Sequence, residues 1–120
     1  MGPGGGNGKA VFTFMGSLTQ DGNTGVMNKS ITCKGYSTYL VFSGREAGAV
    51  NSCVVTADSG TVSKPFTDTA SVYSSYLKKN VDAKPSMDAW IIEGCKKSGT
   101  EITITNPETW WLAFFVYGVA

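Results

Sequence analysis

Polar and apolar positions along the chain alternate in short runs that are separated by turn-forming residues. Alternation at every second position predicts strands, and clusters of Gly, Asn, Asp and Ser predict the turns between them. The pattern predicts about eight strands, at residues 9–15, 26–33, 36–43, 49–57, 61–66, 90–97, 100–105 and 110–119. Short strands with turns every 8–12 residues or so are typical of all-β proteins. The sequence therefore predicts a jelly-roll-like β-sandwich with at most one short helix.

Two of the predicted strands are separated by Ser98-Gly99, a two-residue turn signal. Similar signals stand at Lys34-Gly35 and at Asp58-Ser59-Gly60. We therefore expect residues 90–97 and 100–105 to pair as a β-hairpin.

The segment from Asp68 to Asn80 departs from the strand pattern. Its large apolar residues stand at positions 72, 73, 76 and 77, which is helical spacing. Asp68 is suited to cap a helix N-terminus, and Lys78-Lys79 suit a helix C-terminus. We predict a short helix or helical turn near Val72 to Leu77, with a polar edge strand as the alternative.

The last predicted strand contains no charged residue from Trp110 to Ala120. These eleven residues are too few for a transmembrane helix, which needs roughly 20 apolar residues. A surface strand of a monomer has one polar face, whereas both faces of this strand are apolar. One face is expected to fill the core, with Trp110, Leu112, Phe114 and Val116. The other is the predicted interface of a homo-oligomer, with Trp111, Phe115 and Tyr117.

The chain begins MGPGGGNG, with five glycines in eight residues. Such a stretch buries little apolar surface and loses much entropy on ordering. We therefore assign residues 1–8 to a flexible N-terminal arm and residues 9–120 to a single β-sandwich domain.

The residue types exclude most catalytic chemistry. The chain has no histidine, and its three cysteines lack the spacing of a zinc site. We expect no enzymatic activity, no metal and no cofactor. A pair of carboxylates for glycoside hydrolysis is the alternative, with candidates at Glu46, Asp58, Asp82, Asp88, Glu93 and Glu101.

Charge and cysteine usage bear on partners and compartment. The net charge of +1 argues against nucleic acid and against anionic membranes as partners. We expect Cys33, Cys53 and Cys95 to be buried thiols of a protein made in a reducing cytoplasm, although a Cys33–Cys53 disulfide is the alternative. The N-terminus lacks the features of a secretory signal.

Aromatic side chains are the remaining candidates for ligand binding, because exposed Trp and Tyr rings stack on sugars. Trp90 and Trp110 lie in apolar strands and are expected in the core. Tyr73 and Tyr76 stand among serines and lysines. They are the candidate glycan-binding residues.

The chain resembles small β-sandwich surface proteins of tailed bacteriophages or phage-derived particles, such as tail-fibre tips, baseplate-associated proteins and head fibres. The glycine-rich start MGPGGGNG, the short strands rich in Ser, Thr, Gly and Asn, and the aromatic strand after ITITNPE carry this resemblance. It implies a protein made in the bacterial cytoplasm, displayed on a virion or particle surface, and often trimeric.

Two functions follow as hypotheses. The first is a structural or adhesive virion component that contacts itself as a trimer, other particle proteins and a host-surface glycan. The second is a soluble bacterial carbohydrate-binding, lectin-like module. Size in solution discriminates between them, because a lectin-like module can be a monomer.

Overall fold

The computed structural model describes residues 11–20, 27–45, 53–84, 88–107 and 112–120. These residues form ten β-strands and no helix, which confirms the all-β prediction. The predicted arm at residues 1–8 lies outside the described residues. The strands are β1 (Phe12–Gln20), β2 (Met27–Cys33), β3 (Thr38–Arg45), β4 (Val54–Ala57), β5 (Thr61–Ser63), β6 (Ala70–Ser74), β7 (Lys79–Ala83), β8 (Ala89–Glu93), β9 (Thr100–Asn106) and β10 (Leu112–Val119).

The strands form a sandwich of two antiparallel sheets and a separate hairpin. The larger sheet has the order β1-β10-β3-β8-β5, and the smaller has the order β2-β9-β4. Among the described strands, β6 and β7 pair only with each other. The last strand lies between β1 and β3, so Phe12 pairs with Val119 from the other end of the chain. Pairing between strands that are distant in sequence is the feature that the predicted jelly-roll-like class requires.

The expected hairpin between residues 90–97 and 100–105 is wrong. Strand β8 pairs with β3 and β5, whereas β9 pairs with β2 and β4 in the other sheet. The chain instead crosses the sandwich after Glu93, and Cys95 N–H donates to Ser37 O at 2.9 Å. The crossing lets the apolar faces of the two strands meet in the core from opposite sheets, and this burial outweighs the local turn signal.

The core lies between the sheets and follows the alternation of the strands. Phe114 and Val116 of β10, Tyr39 and Val41 of β3, and Ile102 and Ile104 of β9 are all fully buried. Trp90 is buried as predicted, with its ring centroid 6.1 Å from that of Phe114. The side-chain amide of Asn106 donates to Gln20 Oε1 at 3.0 Å and closes one end of the core.

The predicted helix near Val72 to Leu77 is wrong, and a two-stranded hairpin takes its place. Residues Ser75 to Lys78 form the turn between β6 and β7. Lys78 N–H donates to Ser74 O at 2.7 Å, and Leu77 N–H donates to Ser74 Oγ at 3.1 Å. This bond pattern is one uncontinued turn of helix, and it accounts for the helical spacing. The hairpin also raises the strand number from about eight to ten.

The end of β10 depends on a glycine that meets an aromatic ring. Gly118 is buried, and a Cβ atom built on it lies 2.4 Å from Cδ2 of Tyr36. Tyr36 is held in place by its hydroxyl, which donates to Thr13 Oγ1 at 2.9 Å. A side chain at position 118 must therefore displace the ring that links β1, β3 and β10.

We predict that Gly118→Ala lowers the free energy of unfolding by about 1–3 kcal/mol, because the added methyl overpacks the contact with Tyr36. The measurement is denaturant unfolding of a double-mutant cycle. In a Tyr36→Ala background the same glycine substitution is expected to cost much less, since the clashing ring is absent. Additive costs would contradict the assigned contact.

Candidate functional site

The outer face of the larger sheet is apolar over most of its area. Outward positions alternate with core positions along β3 and β10, and cross-strand partners share a face. Two charge-free rows cross β1, β10 and β3 at Phe14, Tyr117 and Leu40, and at Ser17, Phe115 and Phe42. We define the aromatic face as the outward residues Phe12, Phe14, Leu40, Phe42, Ala113, Phe115, Tyr117 and Val119. Glu93, at the end of β8, is the only charged side chain among the described outward positions of this sheet.

A bulge in β1 brings two phenylalanines onto this face. The register of β1 against β10 shifts between Phe14 and Gly16. Before the bulge, Phe12 and Phe14 lie outward, and after it Leu18 lies inward opposite Phe114. Gly16 has a φ of 149°, and a Cβ on it would lie 2.7 Å from Ile31 Cδ1, so the position favours glycine. The bulge thus reverses which side chains face the core.

The aromatic side chains remain half-exposed in spite of their mutual contacts. Phe12 is 51%, Phe14 55% and Phe115 37% exposed. The ring centroid of Tyr117 lies 5.5 Å from that of Phe14 and 6.1 Å from that of Phe42. A groove of about 410 Å³ lies among these rings, lined by Phe12, Phe42, Ser43, Gly44, Phe115 and Tyr117.

The outer face of the smaller sheet has the opposite character. Its outward positions on β2 and β9 are Asn28, Ser30, Thr32, Glu101, Thr103 and Thr105. Ser30 Oγ and Thr103 Oγ1 are hydrogen-bonded at 2.7 Å. This face is the ordinary water-facing side of an antiparallel sheet. The two outer faces of one sandwich therefore differ sharply in polarity.

The predicted interface residues fall on the apolar side where they are described. Phe115 and Tyr117 belong to the aromatic face, while Leu112, Phe114 and Val116 of the same strand are buried. Trp110 and Trp111 lie outside the described residues. Phe12, Phe14 and Phe42 also belong to the face and were not predicted from the sequence. The apolar residues at alternate positions are visible in the sequence, but the bulge in β1 and the identity of the neighbouring strands are not.

The β6–β7 hairpin carries both predicted glycan-binding tyrosines, in different surroundings. Tyr73 is 63% exposed and lies directly opposite Asn80 in the ladder. Tyr76 is 91% exposed and stands in the turn. Ser71 pairs with Asp82, so these two residues share a face with Tyr73 and Asn80. The structure separates the two tyrosines, and only Tyr73 has polar neighbours on a common face.

Val11 and Ala120 lie at one end of the larger sheet, and the segment that bears the hairpin leaves the sheet at the other end. Ala120 N–H donates to Val11 O at 2.9 Å, beside the pair of Phe12 and Val119. The segment with the hairpin leaves β5 after Ser63 and returns at Ala89 of β8. Ala89 pairs with Phe42, towards the other end of β3.

Two of the candidate residues for catalysis, Asp58 and Glu101, are hydrogen-bonded neighbours, and the other described candidates lie elsewhere. Asp58 Oδ1 accepts a hydrogen bond from Glu101 N–H at 2.9 Å at one corner of the sandwich. Asp82 lies on the hairpin and Glu93 at the end of β8, while Glu46 lies outside the described residues. Within residues 11–20, 27–45, 53–84, 88–107 and 112–120, no group of three or more Cys, Asp or Glu is placed to hold a metal. That same part of the chain contains no helix long and apolar enough to cross a membrane.

The three cysteines are buried thiols, and the alternative Cys33–Cys53 disulfide is absent. Burial raises the pKa of Cys33 above 9.0, and the nearby Cys95 raises it further. Burial also raises the pKa of Cys95, against a hydrogen bond from Thr100 that lowers it. The thiolate is the nucleophilic form, so these side chains are poorly suited to covalent catalysis at neutral pH.

Comparisons of the chain with protein-family models, with curated proteins and with solved structures found no match.

We predict that the free energy of unfolding falls as the pH rises above 9.0, the ordinary thiol pKa. The unfolded chain loses its thiol protons there, whereas the folded protein holds them to higher pH, so the stabilisation present below pH 9 is lost. Denaturant unfolding between pH 7 and 11 measures the slope. A Cys33→Ala variant is expected to have a shallower alkaline slope, and an unchanged slope would contradict the assignment to Cys33.

Proposed function

We propose that this protein is a non-enzymatic structural subunit that assembles with copies of itself through the aromatic face. The observation that carries the proposal is the contrast between the two outer faces of the sandwich. One face is polar as water requires, and the other presents half-exposed phenylalanines without a charge among them. Contiguous apolar patches of this kind mark interaction sites, because their exposure to water is unfavourable.

A second copy of the chain fits the aromatic face better than a partner of different chemistry. Interface cores are depleted of charge and enriched in Phe, Tyr and Trp. Two aromatic faces can meet without placing like charges opposite each other, since Glu93 stands at the margin. A charged partner would lose hydration at this face and gain no ion pair in return. Self-association is therefore the occupant that the chemistry favours.

We propose a closed trimer, because the phage proteins that the sequence resembles are often trimeric; the aromatic faces of three copies then meet around one axis. Phe14 is exposed on the edge strand β1, and the groove reaches from Phe12 of the same strand to the neighbouring strands at Phe42 and Phe115. An aromatic ring from β1 of one copy that enters the groove of the next makes a heterologous contact. Such contacts generate rings when the rotation closes, and three is the smallest number above a dimer.

The place of the subunit is proposed from the sequence resemblance described above. We place it on the surface of a phage virion or phage-like particle, made in the bacterial cytoplasm, with other particle proteins as partners. Val11 lies beside Ala120 at one end of the larger sheet. The segment that bears the hairpin leaves the larger sheet at its opposite end.

A soluble carbohydrate-binding module is the second candidate function. The exposed ring of Tyr73, with Asn80 and Asp82 on the same face, favours it. A monomeric state in solution would support this candidate over the first.

We predict that the unmodified protein is a homo-oligomer and that Phe14→Ser weakens its association by about tenfold or more. Phe14 is the most exposed aromatic residue of the sheet face, so its removal leaves the core intact. The double variant Phe115→Ser, Tyr117→Ser is expected to dissociate the assembly or to aggregate through the remaining patch. Sedimentation equilibrium over a wide concentration range measures the stoichiometry and the dissociation constant.

Val54→Ser is the matched control, because Val54 is 53% exposed on the outer face of the smaller sheet. It removes similar apolar exposure from the polar side and should leave association unchanged. A concentration-independent monomer for the unmodified protein would overturn the proposal. A monomer that binds a small apolar ligand in the groove would also overturn it, since sites of that volume are common for small molecules.

A further inference from the structure

The hairpin has one face that combines a single aromatic ring with hydrogen-bonding side chains. Tyr73 lies opposite Asn80, and Ser71 lies opposite Asp82 on the neighbouring pair. The other face of the ladder carries three register pairs, which are Ala70 with Ala83, Val72 with Val81, and Ser74 with Lys79. The hairpin therefore has its one aromatic ring, its amide and its carboxylate together on the Tyr73 face.

The groups on the Tyr73 face are available to a ligand. Ser71, Tyr73, Asn80 and Asp82 are all exposed. In the part of the chain that the structure describes, β6 and β7 belong to neither sheet, and no hydrogen bond or ring contact engages the side chains of Tyr73, Asn80 or Asp82. Tyr is a residue type that strands favour, and at 63% exposure the ring of Tyr73 is open to a ligand.

The spacing on this face suits a sugar ring. Directly opposite side chains in an antiparallel pair start about 5 Å apart, and diagonal neighbours about 7–8 Å apart. The ring of Tyr73 thus has an amide beside it and a carboxylate on the diagonal. A pyranose has an apolar C–H face that packs on an aromatic ring and a rim of hydroxyls. Carboxylate and amide oxygens accept hydrogen bonds from such hydroxyls, and the Asn80 amide N–H donates one in return.

We propose that the Tyr73 face of the hairpin binds a neutral saccharide. The ring of Tyr73 stacks on the C–H face of one sugar unit, and Asn80 and Asp82 bind its hydroxyls. Tyr76 lies outside this site, since it stands in the turn beyond the last ladder pair of Ser74 and Lys79.

Other ligand classes fit the face less well. A nucleic acid needs cations that neutralise phosphates. The four residues of the face include one carboxylate and no cation, and Lys79 lies on the opposite face, paired with Ser74. A protein interface concentrates its energy in packed clusters of large residues inside desolvated pockets. The Tyr73 face has one such residue, on a narrow two-stranded surface. A polyol is the remaining class whose hydroxyls match the carboxylate and the amide together.

The inference rests on the second candidate function and specifies its site and ligand class; because the site belongs to a single hairpin, it does not depend on self-assembly through the aromatic face. Binding of a free monosaccharide depends on one hairpin alone, whereas binding to an immobilised glycan also depends on how many hairpins each particle carries. A free sugar therefore tests the site, and sedimentation tests self-assembly. Either result can be negative without affecting the other.

Saturation-transfer difference NMR tests the single site. The probes are methyl β-glucoside, methyl β-galactoside, methyl α-mannoside and N-acetylglucosamine at millimolar concentrations, with the full chain. Saturation transfer to the C–H protons of at least one sugar is expected. Tyr73→Thr removes the ring and keeps a strand-forming residue. It should lower the affinity by about tenfold or more.

Two variants separate the site from its surroundings. Tyr73→Phe keeps the ring and should bind within about threefold of the unmodified protein, which is under 1 kcal/mol. Tyr76→Thr removes the other tyrosine and should leave binding unchanged. Backbone chemical shifts of residues 70–83 verify that each variant retains the hairpin. Absence of transfer to all four sugars overturns the proposal, as does binding that survives Tyr73→Thr or is lost with Tyr76→Thr.

Discussion

The pairing of β10 between β1 and β3 is the interaction on which the rest of the structure depends. The strand supplies Phe114 and Val116 to the core and Phe115 and Tyr117 to the aromatic face, so both sheet surfaces are built around it. Until the last residues of the chain are in place, the larger sheet lacks its strand between β1 and β3. Contacts between chain ends carry a loop-closure cost before they contribute energy. The inward side chains Leu112, Phe114 and Val116 offset that cost, because each large apolar side chain contributes on the order of 2 kcal/mol when buried.

The fold class was predictable because it depends on a local signal that repeats. Alternating runs at Val26 to Cys33 and at Thr100 to Thr105 identify strands to within a few residues of the observed β2 and β9. Pairing was not predictable in the same way. Ser98-Gly99 has the chemistry of a hairpin turn, yet the chain there crosses between sheets, since the inner faces of β8 and β9 are buried against each other's sheets. Turn residues indicate that the chain changes direction, but they do not indicate which strand pairs with the strand that follows the turn.

The Asp68–Asn80 segment shows the same limit at shorter range. Apolar residues have the same spacing in one turn of helix and in a four-residue hairpin loop. The hydrogen bond from Lys78 N–H to Ser74 O is also of the kind that both structures contain. Lys78 adopts a φ of 56°, which ends the turn and starts β7. A lysine does not indicate a left-handed backbone conformation as a glycine would, so the sequence could not distinguish a helix from a hairpin turn there.

The candidate surfaces were predictable only in part, for reasons that differ between them. Phe115 and Tyr117 followed from a strand that is apolar on both faces, which is a property of one segment. Phe14 and Phe42 join them through a bulge and through long-range register, which are properties of the whole sheet. On the hairpin, Tyr73 was predicted from the sequence as a binding residue. Asn80 and Asp82 became candidates only from the strand register, which places them beside Tyr73.

The two proposed surfaces are linked by their positions on the sandwich. The aromatic face covers the larger sheet along its length, and the hairpin-bearing segment leaves that sheet at the end away from Val11 and Ala120. Copies related by rotation about an axis along the strands would therefore carry their hairpins at one common end. A flat site with one aromatic ring binds a single sugar weakly, in the range where Kd is on the order of 1 mM. Linked sites raise the strength of attachment by factors of about 10²–10⁴ without any new contact at each site. Self-assembly through the aromatic face would thus turn a weak saccharide contact on each hairpin into firm attachment to a surface that displays many copies of the sugar.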